Sequence, residues 1–172
     1  DKIPELDILL EDNQIWKAEN FLAKIFHIPG HTTGHICFHF FQDKLVFTGD
    51  TLFSLGCGRI FEGTYEQMYK SLNKIKSFPK NTRIYCGHEY TKNNSDFCLS
   101  IDTKNLKLKN KIIEIKKNIQ NGNPTIPTIL EDELECNIFL RSDNLEIQKQ
   151  LGIISKDPFK TFAKLRDLKD NF

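Results

Sequence analysis

The chain contains no apolar run near the ~18 residues that span a bilayer, so no transmembrane helix is expected from its sequence. It also lacks any Cys-x-x-Cys pair, and its five cysteines, Cys37, Cys57, Cys86, Cys98 and Cys136, are odd in number. That argues against a disulfide framework and for reduced thiols in a cytosol-like compartment. Charge of one sign is missing too: 24 Lys and Arg stand against 23 Asp and Glu, a net charge of +1. Such a balance gives no reason to expect nucleic acid or membrane as a partner. Histidine is scarce enough, at five residues, for each one to be weighed separately.

What is present suits an ordinary soluble enzyme. The 172 residues, 39% hydrophobic and 27% charged, suffice for one full domain or parts of two. Three segments carry chemistry: Pro29-Gly30-His31-Thr32-Thr33-Gly34-His35, Thr48-Gly49-Asp50-Thr51 and Cys86-Gly87-His88-Glu89-Tyr90. Each places a metal-ligand candidate, His31, Asp50 or His88, on a turn that leaves an apolar strand. Imidazole nitrogen and carboxylate oxygen are the donors of a catalytic zinc or iron site, which keeps one position open for water. Gly30, Gly49 and Gly87 flank the three candidates and permit tight turns and close approach. Taken singly, each histidine would be a hydrogen-bonded core or loop residue; three Gly-flanked donors at successive strand ends favour hydrolysis at a metal. His27 and His39 lack such a turn and alternate with apolar neighbours, so they read as packing or surface residues. Cys57, in the turn Gly56-Cys57-Gly58, has no separate histidine base and is a poor candidate nucleophile.

Periodicity predicts strands over 21–28, 36–41 and 44–48, with Gln42-Asp43 as a hairpin turn. A helix follows over 65–77, with Tyr65, Met68, Leu72 and Ile75 at helical spacing, and then a short buried strand over 83–86. Beyond residue 100 the pattern is helical: 106–121, 145–151 and 158–169, closed by Gly122 and Pro124 or by Gly152, or opened by Pro158. In the first of these, Leu108, Ile112, Ile115 and Ile119 fall on one face, which leaves the interleaved lysines to solvent.

These segments resemble glyoxalase II, the hydroxyacylglutathione hydrolases of the metallo-β-lactamase superfamily. The similarity runs from about Phe21 to the last residue and is carried by the PGHTTGH, FTGDTLF, GCGRIFEGT and YCGHEYTKNN segments, by 123–128, and by the terminal RDLKDNF. It implies an α+β fold: residues 1–100 as the second half of an αββα sandwich, and 101–172 as an α-helical domain that holds glutathione. It implies two divalent metals, zinc first and iron or manganese as alternatives, with His31 on one, His88 on the other and Asp50 bridging them. The implied activity is hydrolysis of the thioester of S-acylglutathione, as in conversion of S-lactoylglutathione to glutathione and lactate in methylglyoxal detoxification. Arg166 and Lys169 match the family's glutathione-binding pair, although on sequence alone they read as solvated surface charges. Tyr90 matches a tyrosine that hydrogen-bonds the same ligand. Arg59 stands where the family usually has Lys, and Phe61 where many relatives have Tyr, so one hydrogen bond to substrate should be lost.

One departure is large. The family supplies four further ligands from a Thr-His-x-His-x-Asp-His motif, and no pair among these five histidines has that spacing. With only 30 residues before His31 and Asp1 in first place, the expectation is the C-terminal part of a longer protein. Alone it should bind metal weakly, hydrolyse poorly, and aggregate or need the missing part non-covalently, because that part would add strands to the same sheet and its absence exposes an apolar edge. The expected location is cytoplasmic, or an organelle if a transit peptide precedes the sequence. Two other readings are weighed. A glutathione persulfide dioxygenase of the same superfamily shares GCGR, but typically continues Thr-Asp-Phe where this chain has Ile60-Phe61-Glu62-Gly63. A non-catalytic glutathione-binding protein would not need His31, Asp50 and His88 together.

Overall fold

The computed structural model describes residues 4–153 and 155–172. Its main sheet has six strands in the order β1-β2-β3-β4-β7-β8. These are β1 (Ile15–Ala18), β2 (Phe21–His27), β3 (Ile36–Phe40), β4 (Leu45–Gly49), β7 (Arg83–Cys86) and β8 (Thr128–Ile129). All neighbours run antiparallel except β4 and β7, which are parallel and joined through a helix. A separate two-stranded hairpin is formed by β5 (Leu52–Phe53) and β6 (Gly56–Cys57). The helices are α1 (Tyr65–Lys76), α2 (Thr91–Ile101), α3 (Leu106–Gln120), α4 (Leu130–Cys136), α5 (Leu145–Gln150) and α6 (Pro158–Asp170).

Helix starts follow local chemistry. Thr64 closes a capping box with Gln67 ahead of α1, and Asn105, Asn144 and Asp157 cap α3, α5 and α6 by accepting from backbone N–H groups. Met68, Leu72 and Ile75 of α1 share one core with Cys37, Val46 and Ile84 from one face of the sheet. That core continues through Phe97, Leu108, Ile112, Phe139 and Phe162 into the helical region. In α3, Leu108, Ile112 and Ile115 are buried as the spacing predicts, but Ile119 is exposed. Lys111 departs from the expected solvated face: it is half-buried and paired with Glu114 and Asp132. Burial would lower its pKa, yet hydrogen bonds to those carboxylates hold it above the ordinary lysine range.

The opposite face of the sheet carries an aromatic array. Opposed residues of an antiparallel pair share a face, and Phe38 opposes Phe47. Trp16 meets Phe38 edge-on at 5.7 Å, Phe40 meets Phe47 at 5.8 Å, and Phe47 lies 5.3 Å from Tyr85. Phe47 is 45% exposed.

Candidate metal and substrate site

Strand ends deliver the donors. Asp50 follows β4 directly, and the turn before it needs Gly49, whose φ is +50° and whose absent Cβ would stand 2.3 Å from His35 Nε2. The parallel partner β7 ends alongside and brings Gly87 and His88 to the same place, with Gly87 N–H donating to Gly49 O at 2.9 Å. His31 arrives from the loop between β2 and β3.

The three donors meet at the Asp50 carboxylate. His31 Nε2 lies 3.6 Å from Oδ2, and His88 Nε2 lies 3.5 Å from Oδ1. His31 Nδ1 is 2.9 Å from the carbonyl oxygen of Arg59, which can only accept, so Nδ1 carries the proton in the neutral ring. Nε2 then presents a lone pair to a carboxylate oxygen, an arrangement that a shared cation would satisfy. A tetrahedral zinc with bonds near 2.1 Å separates its ligand atoms by roughly 3.4 Å, close to both distances. Asp50 Oδ1 is buried with no hydrogen-bond partner, as an oxygen reserved for a metal would be. The donors therefore fit one divalent ion on each side of Asp50. They do not complete either: among the described residues no group of three or more His, Cys, Asp or Glu side chains is placed to hold an ion.

His35, not singled out from the sequence as a site residue, positions this carboxylate. Its Nε2 accepts from Asp50 N–H at 2.9 Å, so it is unprotonated there, and burial lowers its pKa in the same sense. His27 meets Thr33 O through Nε2, and His39 is buried against Phe78 at 4.1 Å; neither reaches the site.

A cavity of about 530 Å³ opens over Asp50 and gathers every candidate residue: His31, with Arg59 and Phe61 beside it, His88 with Tyr90, and Arg166 and Lys169 from α6. Tyr90 stacks on the His88 ring at 5.1 Å, and Phe61 packs against His31 at 4.9 Å. Arg166 is not the solvated charge that its surroundings in sequence suggest. It is 3% exposed, its Nη1 donates to Cys57 O at 2.8 Å, and its Nη2 donates to Asp170 Oδ1 at 2.9 Å. Its Nε is buried without a partner. Asp170 also pairs with Arg59 Nε at 3.5 Å. Lys169 is held by the Asn93 side chain and lies 5.3 Å over the Phe97 ring; burial, then the nearby Arg166 charge, pushes its pKa down. Cys57 is buried, and burial raises its thiol pKa, which weakens any nucleophilic role further. All five cysteines are free.

Two family models divide the chain: the metallo-β-lactamase superfamily matches residues 2–88, and the hydroxyacylglutathione hydrolase C-terminus matches residues 89–172. The hydroxyacylglutathione hydrolase of Pelagibacter ubique (strain HTCC1062) is 60% identical over 172 residues, which cover 100% of this chain and 66% of that protein. The one from Maricaulis maris (strain MCS10) is 43% identical over 171 residues, 99% of this chain and 67% of the relative. A metallo-β-lactamase from Staphylococcus aureus subsp. aureus COL superposes with a TM-score of 0.55 at 22% identity, covering 94% of this chain and 43% of that one, and so shares the fold. The chain spans about two thirds of the length of the curated relatives it matches.

Proposed function

The chain belongs to the hydroxyacylglutathione hydrolase family of the metallo-β-lactamase superfamily, and on that premise we propose that the complete protein hydrolyses the thioester of S-acylglutathione. S-lactoylglutathione is the proposed substrate, with glutathione and lactate as products, which would place the protein in methylglyoxal detoxification. The observation that carries this reading is the Asp50 carboxylate, with one imidazole nitrogen facing each oxygen, on the wall of a cavity that Arg59, Arg166 and Lys169 also line.

The superfamily points to divalent metal, and we propose zinc, which His31, Asp50 and His88 would help to hold together with donors from the rest of the complete protein. Bound zinc supplies Lewis acidity, polarising a carbonyl and lowering the pKa of water to about 7. The chain's own residues do the rest. The Arg59 carbonyl fixes the His31 tautomer so that Nε2 is free to ligate. His35 anchors the backbone of Asp50, and Tyr90 supports the His88 ring by stacking. The cationic wall suits glutathione, whose two carboxylates call for Lys or Arg. The thiol of the leaving group has a pKa of about 8.5, so the thiolate needs no protonation by a side chain to depart. Phe61 can pack on substrate but donates no hydrogen bond.

Asp50→Ala in the complete protein should abolish both metal retention and turnover of S-lactoylglutathione, measured by elemental analysis and by loss of thioester absorbance. Turnover retained by that variant would sink the assignment.

A further inference from the structure

The carboxylate of Glu133 is fully buried, yet it lies outside the cavity, and among the described residues it forms no salt bridge, the Lys111 charge acting on it only from beyond contact. Its Oε2 accepts from Leu55 N–H at 2.8 Å and from Asn137 Nδ2 at 2.9 Å, and its Oε1 accepts from Thr128 Oγ1 at 2.8 Å. Asn137, itself buried, extends the same amide to Gly56 O at 3.1 Å. Together they grip the turn of the β5–β6 hairpin, where Leu55 adopts a φ of +57°, a conformation that disfavours a residue with a side chain. Burial raises the Glu133 pKa, and the three donors that converge here oppose that shift by favouring the charged form.

That hairpin is the scaffold of the site. At its last residue Cys57 O accepts from Arg166, and directly after it Gly58 N–H donates to Thr51 O at 3.2 Å and Arg59 O accepts from His31 Nδ1. No side chain can be added at Gly58, because its Cβ would stand 1.9 Å from Asp50 O. A shift of the hairpin would therefore disturb the metal-facing imidazole and the buried arginine at once.

We infer that Glu133, with Asn137, is a positioning pair that sets the hairpin from outside the cavity and so fixes the His31 ring and the Arg166 guanidinium together. The inference rests on the functional reading above only for the identity of metal and substrate. Glu133→Met keeps the side chain's length and removes both acceptors, whereas Glu133→Gln keeps one oxygen for Leu55 and Asn137 and turns an amide toward the Thr128 hydroxyl.

The test uses the complete protein and two titrations, zinc against a chromophoric chelator and glutathione by calorimetry, with S-lactoylglutathione turnover followed separately. Glu133→Met should weaken zinc binding about 10- to 100-fold, the usual effect of losing a group that orients a ligand, and should weaken glutathione binding with it. Glu133→Gln should restore most of both. If Glu133→Met does not fold, Thr128→Val, which removes only the Oε1 contact, should produce a smaller fall in both affinities. Unchanged zinc and glutathione affinities in a folded Glu133→Met protein, or in Thr128→Val where that variant stands in, would overturn the inference. Wild-type protein that binds both ligands but leaves S-lactoylglutathione intact would overturn the functional reading alone.

Discussion

At Gly87 the missing side chain leaves room for the Asp50 carboxylate, since an added Cβ would stand 2.7 Å from Oδ1. Gly87→Ala should leave the fold intact, because only a side-chain oxygen is crowded, while metal affinity falls by about tenfold or more as the carboxylate turns away. Zinc titration of the complete protein, alongside its circular dichroism, checks both halves of that statement. The candidates His31, Asp50 and His88, which the fold brings together, were legible because each sits on a glycine turn after an apolar strand, and turn chemistry is local. His35 was not, since nothing in its neighbourhood in sequence signals that its ring would accept from the Asp50 N–H. Glu133 was hidden for a similar reason. Within the acidic run Leu130-Glu131-Asp132-Glu133-Leu134-Glu135 it looks like one more solvated charge, and its burial depends on contacts 78 residues away.

Among the elements, strands with strict alternation and helices with a clean apolar stripe were readable to within a residue or two. β2, β3, β4, α1 and α3 fall in that group; β7 lies at the expected residues but is not the buried strand expected there, since only Ile84 of it is buried. Helix α2 escaped because Thr-Lys-Asn-Asn-Ser-Asp favours turns and caps over helix interiors, and only packing of Phe97 and Cys98 into the core overrides that preference. The paired strands β5 and β6 and the edge strand β8 are two residues each, too short for any period to register. Helix α6 was expected from Pro158, and its cap decides how firmly Arg166 and Lys169 are presented. Asp157 accepts from Phe159 and Lys160 N–H at 3.0 and 3.1 Å, so Asp157→Ala should cost about 1 kcal/mol of stability. It should also raise KM for the glutathione thioester more than it changes kcat, which steady-state kinetics would reveal. The packing of β3 on the segment after α1 carries a pH dependence. His39 stacks on Phe78, its Nε2 is buried without a partner, and burial, then Lys24, lowers its pKa. The folded state thus binds this proton less tightly than the unfolded chain, whose histidine titrates near 6.5. Its neutral form is accommodated above that value, and stability is lost as pH falls through about 6.5 toward the depressed folded value. His39→Phe keeps the stacked ring and should flatten the fall in urea midpoint between about pH 7.5 and 5.5; an unaltered pH slope would reject the assignment.

For the whole molecule, the two faces of the main sheet are unequal, and the inequality can be measured. One face is sealed by the core that runs from Met68 to Phe162. The other presents Phe38, Phe40, Phe47 and Tyr85 in edge and tilted contacts, with Phe47 45% exposed and Phe21, at the start of β2 and edge-on to Phe40, 58% exposed. A contiguous aromatic surface of this kind marks an interaction face, and a sandwich fold has a second layer to lay on it. The relatives contain about a third of their length beyond the matched segment, enough to supply such a layer. These 172 residues expressed alone should bind an apolar dye and self-associate as concentration rises, and Phe47→Lys should reduce both by breaking the patch. In the complete protein the same substitution should act in the opposite direction. Placing a charge where a phenyl ring is covered should cost about 1.5 to 3 kcal/mol or more, read as a lowered unfolding midpoint. Equal midpoints for wild type and Phe47→Lys in the complete protein would mean that no second layer covers this face, and the sandwich architecture would then have to be closed by some other surface.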